Sequence, residues 1–239
     1  MNIVFRQLFD PETCTLTYLL ADALTGDAVI LDSVREHVGG YVSLLQELNL
    51  SLVWILETHT HADHITGAAG LRELTGAETV VGAKAGAACA DRRVQGGDTV
   101  VFGNEVLRVM STPGHTEGCL SFRWRDRVFT GDSLLIGGCG RTDFQGGSAE
   151  ALYESITQRL FSLPDETLIY PGHDYKGHRV SSVAQERGTN PRIAGVSRDE
   201  FIDIMAHLNL PPPARIDQAL PANQRCGELP DPLIDVHGV

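Results

Sequence analysis

The sequence predicts an α/β fold in which two β-sheets pack together with helices outside. Three observations predict it. Short apolar runs bounded by turn residues alternate with stretches of helical spacing. The two halves of the chain repeat one order, strands and then a helix. The length of 239 residues, with 42% hydrophobic and 21% charged residues, is enough to bury a core without cross-links. Glycine supplies 25 residues, above the usual share of about 7%, as expected of a chain with many tight turns. No internal motif repeat and no long linker divides the chain. The expectation is one domain over residues 1–239 with a short C-terminal extension from about residue 211.

The elements follow in order. Ile3–Phe9, Thr13–Ala21 and Ala28–Leu31 read as strands, the last two joined across Thr25–Gly26–Asp27. Tyr41, Leu44, Leu45 and Leu48 have helical spacing and predict a helix over about 35–49. Leu52–Leu56 is a nearly continuous apolar run, the pattern of a strand buried on both faces. Ala68–Thr75 is a short helix stopped by Gly76. In the second half, Thr99–Phe102 and Val106–Met110 flank Gly103–Asn104, a hairpin signal. Leu120–Trp124 and Arg127–Thr130 form a second pair. Leu152, Ile156 and Leu160 mark a helix that ends before Pro164, and Thr167–Tyr170 is a strand running into Pro171–Gly172–His173. Ser197–Arg198–Asp199–Glu200 is a capping-box sequence, opening a helix that ends before Pro211–Pro212–Pro213.

Charge and composition exclude several functions. With 31 acidic and 19 basic residues the formal charge is −12, and there is no run of Lys or Arg. A nucleic-acid or anionic-membrane binder needs a basic face, so neither partner is expected. No stretch approaches the ~18 apolar residues of a membrane span. The N-terminus lacks a basic segment followed by an apolar one. The five cysteines are scattered and form no CxxC pair. They read as reduced thiols in a reducing compartment, the cytoplasm, or the mitochondrial matrix for a processed eukaryotic form.

The strongest chemical signal is His59-Thr60-His61-Ala62-Asp63-His64, directly after the buried strand at 52–56. In an extended segment residues i and i+2 point to one side, so His59 and His61 can face one ion. A turn after them brings Asp63 and His64 to a neighbouring point. Imidazole and carboxylate suit Zn, Fe or Mn. A lone histidine is more often a solvated loop residue, but three imidazoles and a carboxylate in six residues are a metal-ligand pattern. Three more candidates each follow an apolar strand and a glycine: His115 after Pro113–Gly114, Asp132 after Thr130–Gly131, and His173 after Pro171–Gly172. Ligands at the ends of strands that share a sheet edge can converge on one point.

The hexapeptide followed by separate His, Asp and His resembles the metallo-β-lactamase superfamily over nearly the whole chain. That resemblance implies a four-layer αββα sandwich. It implies one metal site from His59, His61, His115 and Asp132, and a second from Asp63, His64, Asp132 and His173. Within the superfamily, Gly138-Cys139-Gly140-Arg141-Thr142-Asp143-Phe144-Gln145, Tyr170–Tyr175, Glu186–Arg192 and Pro221–Gly227 are similar to the ethylmalonic-encephalopathy-type persulfide dioxygenases. This narrower resemblance implies one Fe(II) per chain on His59, His115 and Asp132, a two-His, one-carboxylate face. His61, Asp63, His64 and His173 then orient ligands and bind water. It also implies that Tyr175 and Arg192 meet glutathione, with Arg141 shaping the pocket or holding its own loop. The implied reaction oxidises glutathione persulfide with O2 and water to sulfite and glutathione. Dimers are frequent in the family, and a homodimer is a further expectation. All the ligands of a two-metal centre are nonetheless present, so the sequence leaves open a glyoxalase II-like hydroxyacylglutathione hydrolase.

Overall fold

The computed structural model describes residues 3–213 and 215–229; the last ten residues of the expected extension, 230–239, lie outside them. The first sheet orders its strands as in the sequence: β1 (Ile3–Phe9), β2 (Leu16–Asp22), β3 (Asp27–Leu31), β4 (Ser51–Leu56), β5 (Glu78–Gly82) and β6 (Arg92–Val94). The pairs β1–β2 and β2–β3 are antiparallel, and from β3 onward the strands run parallel. The second sheet contains β7 (Thr99–Phe102), β8 (Glu105–Ser111), β9 (Leu120–Trp124), β10 (Arg127–Gly131), β11 (Leu168–Pro171) and β12 (Ser181–Ser182). It runs in the order β12-β11-β10-β9-β8-β7, with only β10–β11 parallel.

Alternation along the strands builds the layers. On β2, Leu16, Tyr18 and Leu20 face the second sheet, where they join Val29, Leu31, Phe102, Leu107, Phe122, Trp124 and Phe129 in the inter-sheet core. Leu19 and Ala21 point the other way and pack with Tyr41 and Leu45 of α1 (Val38–Glu47) and Ala68 and Leu71 of α2 (Ala68–Thr75). That is why the whole of β2 is buried. Beyond the second sheet, Val128 and Ile169 meet Leu152 of α3 (Ala149–Glu154), Ile156 and Leu160 of the π-helical turn that continues it, Val183 of α4 (Val183–Thr189), and Phe201 and Met205 of α5 (Arg198–Ala206). The result is the αββα sandwich expected from the resemblance. Each fully buried large side chain contributes roughly 1.5–3 kcal/mol, and Trp124, Phe122 and Phe129 between the sheets are among the largest.

Several elements differ from the reading of the sequence. The helix expected over 35–49 is a 3-10 turn, Arg35–His37, followed by α1. The strands β5 and β6 went unpredicted because Glu78–Gly82 is short and Arg92–Val94 carries two arginines. The capping box is present as expected: Ser197 Oγ accepts from Glu200 N, and the Glu200 side chain accepts from Ser197 N. The C-terminal segment forms α6 (Ile216–Asn223), with Pro221 inside it. It returns to the metal-ligand loop rather than trailing away, since Asn223 bonds to residues 61, 64 and 66. The expectation of five reduced thiols is corrected. Cys89 and Cys226, 137 residues apart, form a disulfide, and Cys14, Cys119 and Cys139 are free. Sequence spacing hid the pair because only the return of α6 brings Cys226 beside the loop that carries Cys89.

Candidate metal centre

The chemistry-bearing residues follow the C-terminal ends of four strands: His59–His64 after β4, His115 after β8, Asp132 after β10 and His173 after β11. Two of the preceding glycines have specific reasons. Gly131 has φ +50°, and a Cβ there would lie 2.5 Å from Thr58 Oγ1, so the chain turns only without a side chain. A Cβ on Gly172 would lie 2.7 Å from Asp132 Oδ1. The β11 end therefore reaches the carboxylate only because residue 172 is glycine.

The ligating atoms of His59, His115 and Asp132 all lie within 4.8 Å of one another. In each residue one polar atom is held by the protein and the other is left free. Thr58 Oγ1 donates to Asp32 Oδ2 at 2.8 Å, so it accepts from His59 Nδ1–H at 2.9 Å. His59 Nε2 is left as a lone pair. The Arg141 carbonyl, which can only accept, lies 2.7 Å from His115 Nδ1 and fixes the proton there. His115 Nε2 stands 3.8 Å from Asp132 Oδ2. Asp132 Oδ1 accepts from His173 Nδ1 at 2.7 Å, leaving Oδ2. Two imidazole nitrogens and one carboxylate oxygen, all oriented from behind, are the donor set that a divalent transition metal accepts.

Charge around this face is strongly coupled. Burial pushes His59 well below the usual imidazole range, and neighbouring His61 and His115 push it further. It is a neutral imidazole. Burial also opposes charge on His173, but Asp132 and Asp63 outweigh it and hold the ring as an imidazolium. Its Nε2 lies 3.0 Å from Asp63 Oδ2. Asp132 and Asp63 stay ionised, both below the usual carboxylate range: burial opposes this, and His173 overcomes it in each case. His61 lies apart from the triad, its Nε2 3.3 Å from Asp32 Oδ1 and 3.2 Å from Glu57 Oε2. Those carboxylates outweigh burial and raise it to about 10. His64 Nδ1 bonds to Asp63 Oδ2 at 2.9 Å. His61 Nδ1 and His64 Nε2 are buried without a partner.

A cavity of about 570 Å³ opens over the triad, and Tyr175, Arg192, Arg141, Lys176 and Pro211 line it. Tyr175 stacks parallel to His173, ring centres 5.4 Å apart. Among the described residues the Arg192 guanidinium meets the Cys139 carbonyl, at 3.4 Å, and the sulfurs of Cys139 and Met205. It has no carboxylate partner among the described residues. Arg141 is different. Its fork makes two bonds of 2.7 Å to Asp143 and one of 2.6 Å to the Pro211 carbonyl, and it lies over Phe144. Reading the sequence missed Asp32, Glu57, Thr58 and Asn223. Glu57–Thr58 precede the hexapeptide directly, and Asn223 lies in a segment singled out without a role. Asp32, 29 residues from His61, carried no local signal.

Residues 15–173 match the family model described as the metallo-beta-lactamase superfamily. The chain is 49% identical over 228 residues to the human protein named persulfide dioxygenase ETHE1, mitochondrial, covering 94% of this chain and 89% of that one. The crystal structure of ETHE1 from Myxococcus xanthus superposes with a TM-score of 0.93 at 54% identity, covering 94% of this chain and 100% of that one. Similarity to the Dictyostelium discoideum protein named glyoxylase B2 is lower, at 30% over 269 residues, covering 95% of this chain and 91% of that one.

Proposed function

For a chain that belongs to the metallo-beta-lactamase superfamily, we propose the activity of a persulfide dioxygenase with one Fe(II) on His59, His115 and Asp132. Its substrates are glutathione persulfide and O2, and with water it forms sulfite and glutathione. The observation that carries the reading is the triad itself: three free donor atoms within 4.8 Å, each fixed by a contact on its far side. The relatives at 49% and 54% identity carry the reaction class in their names.

When bound, ferrous iron supplies the redox chemistry by which O2 and the persulfide sulfur react. The protein's own residues do the rest. His59 and His115 turn their Nε2 atoms to the site because Thr58 Oγ1 and the Arg141 carbonyl accept hydrogen bonds from their Nδ1–H groups. His173 holds Asp132 from behind and keeps it ionised. Arg192 lines the cavity without a carboxylate partner among the described residues, which supports its receiving a glutathione carboxylate through a planar pair of donors. Tyr175 adds a phenol at the same cavity wall. Arg141 shapes the pocket by tying the loop at 141–143 to Pro211.

One metal is favoured over two because Asp63 and His173 are paired with each other, and His173 also takes the second oxygen of Asp132. The unpartnered His61 Nδ1 and His64 Nε2 favour the second reading, a two-metal thioester hydrolase. The deciding experiment is O2 uptake by Fe(II)-loaded protein given glutathione persulfide, run beside hydrolysis of a glutathione thioester, with metal counted in the same sample. Sulfite formation with one iron per chain supports the dioxygenase. Thioester turnover without O2 uptake, with two metals per chain, overturns it.

A further inference from the structure

The C-terminal segment grips the metal-ligand loop through one side chain. Asn223 ends α6, is 5% exposed, and lies 162 residues from His61. Its Oδ1 accepts from Thr66 N at 2.9 Å, and its Nδ2 donates to the carbonyls of His61 at 2.9 Å and His64 at 2.8 Å. One carboxamide thus closes the turn over 61–66 from both ends. The segment that carries it is itself pinned. Cys226 O accepts from Ala69 N at 2.9 Å, Cys226 is bonded to Cys89, and a Cβ on Gly227 would lie 2.4 Å from Thr66 O.

The gripped turn carries Asp63, and a chain of contacts runs from there to the metal face. Asp63 Oδ2 lies 3.0 Å from His173 Nε2, and His173 Nδ1 lies 2.7 Å from Asp132 Oδ1. Asp132 Oδ2 is then the free ligand atom. We propose that Asn223 is a positioning residue for the metal centre, fixing the 61–66 turn so that Asp63, through His173, aims the Asp132 carboxylate. This rests on the ligand assignment proposed above. The argument is geometric: one side chain satisfies two carbonyls and one N–H of the turn.

The test is a double-mutant cycle read by metal affinity, not by turnover. Fe(II) binding is measured by anaerobic chelator competition on wild type, Asn223→Ala, Asp63→Ala and the double variant, with Co(II) absorption as a second probe of ligand geometry. Asn223→Ala should weaken Fe(II) binding about tenfold, the range for groups that orient metal ligands. It should shift the Co(II) bands as well. In the Asp63→Ala background the same substitution should cost less than about twofold, because the relay is already cut. Should Asn223→Ala fail to fold, Asn223→Asp takes its place in the cycle, since it keeps the acceptor for Thr66 N and removes both donors. Unchanged Fe(II) affinity overturns the proposal, and so does equal weakening in the two backgrounds, which marks a general structural role. His115→Ala is the control: if it retains full metal, the ligand assignment and this inference both fall. If it loses metal while Asn223 variants bind as wild type, only this inference falls.

Discussion

At His115 a backbone carbonyl decides the chemistry. Arg141 O can only accept, so the proton sits on Nδ1 and the Nε2 lone pair faces the triad. His115→Ala removes that donor and leaves two of the three proposed ligands. Iron binding and O2 uptake should be lost while the unfolding midpoint of the metal-free protein stays within about 1 kcal/mol of wild type, since the residue adds little to the apolar core. Iron content by metal analysis and a urea titration check both halves; full iron in the variant removes His115 from the site. Arg192 and Arg141 show the opposite contrast. Two arginines line one cavity, but one fork is occupied by Asp143 and the other has no carboxylate among the described residues. Arg192→Ala should raise KM for glutathione persulfide about 10- to 100-fold, the equivalent of a lost charge-assisted contact of about 1.5–3 kcal/mol. Iron content and kcat should stay near wild type. Steady-state O2 uptake against persulfide concentration is the measurement, and a wild-type KM would take Arg192 out of substrate binding.

Among the elements, the turn between β1 and β2 carries a pH-dependent contribution away from the metal face. Burial opposes ionisation of Asp10. The Thr13 hydroxyl, His37 and the backbone N–H groups of Thr13 and Glu12 outweigh it and lower its pKa to about 2. A carboxylate depressed in the folded state stabilises above its unfolded value of about 3.9, and the contribution is lost as pH falls through the folded value. Wild type should therefore exceed Asp10→Asn by on the order of 2 kcal/mol above about pH 5, converging towards pH 2. Urea midpoints of the two proteins across pH 2–7 would show it; a constant gap at every pH would rule it out. At the inter-sheet core, Phe122 is fully buried opposite Phe129 and Val109. Phe122→Ala should cost about 3–5 kcal/mol through the cavity it leaves, measured by the same titration.

For the whole molecule, the disulfide joins the loop after β5 to the segment after α6, 137 residues away. Cross-links that close long loops stabilise by about 2–4 kcal/mol. A reductant, or Cys89→Ser, should lower the unfolding midpoint accordingly, whereas identical midpoints would mean the bridge adds nothing. The bridge also removes the ground on which cysteine usage suggested a reducing compartment. No helix among the described residues is long and apolar enough to cross a membrane.

What the sequence determined by itself is whatever local periodicity and short motifs encode. The strands read at 13–21, 52–56 and 120–124, the capping box at Ser197 and the ligand-type residues His59, His61, Asp63, His64, His115, Asp132 and His173 were all legible, because each signal lies within a few neighbouring residues. Only the tertiary structure decided how those ligand-type residues divide. It leaves His59, His115 and Asp132 with free donor atoms while His173 and Asp63 hold each other, and it surrounds His61 with Asp32 and Glu57. It also tied Arg141 to Asp143, paired Cys89 with Cys226, and brought Asn223 to the hexapeptide. The reason is physical: a tautomer, a carboxylate's charge and a cysteine's partner are set by atoms a few ångströms away in space. Thr58 beside His59 is a local case, but the atoms that act on His115, Asp132 and Cys89 come from residues 26, 41 and 137 positions distant in the chain.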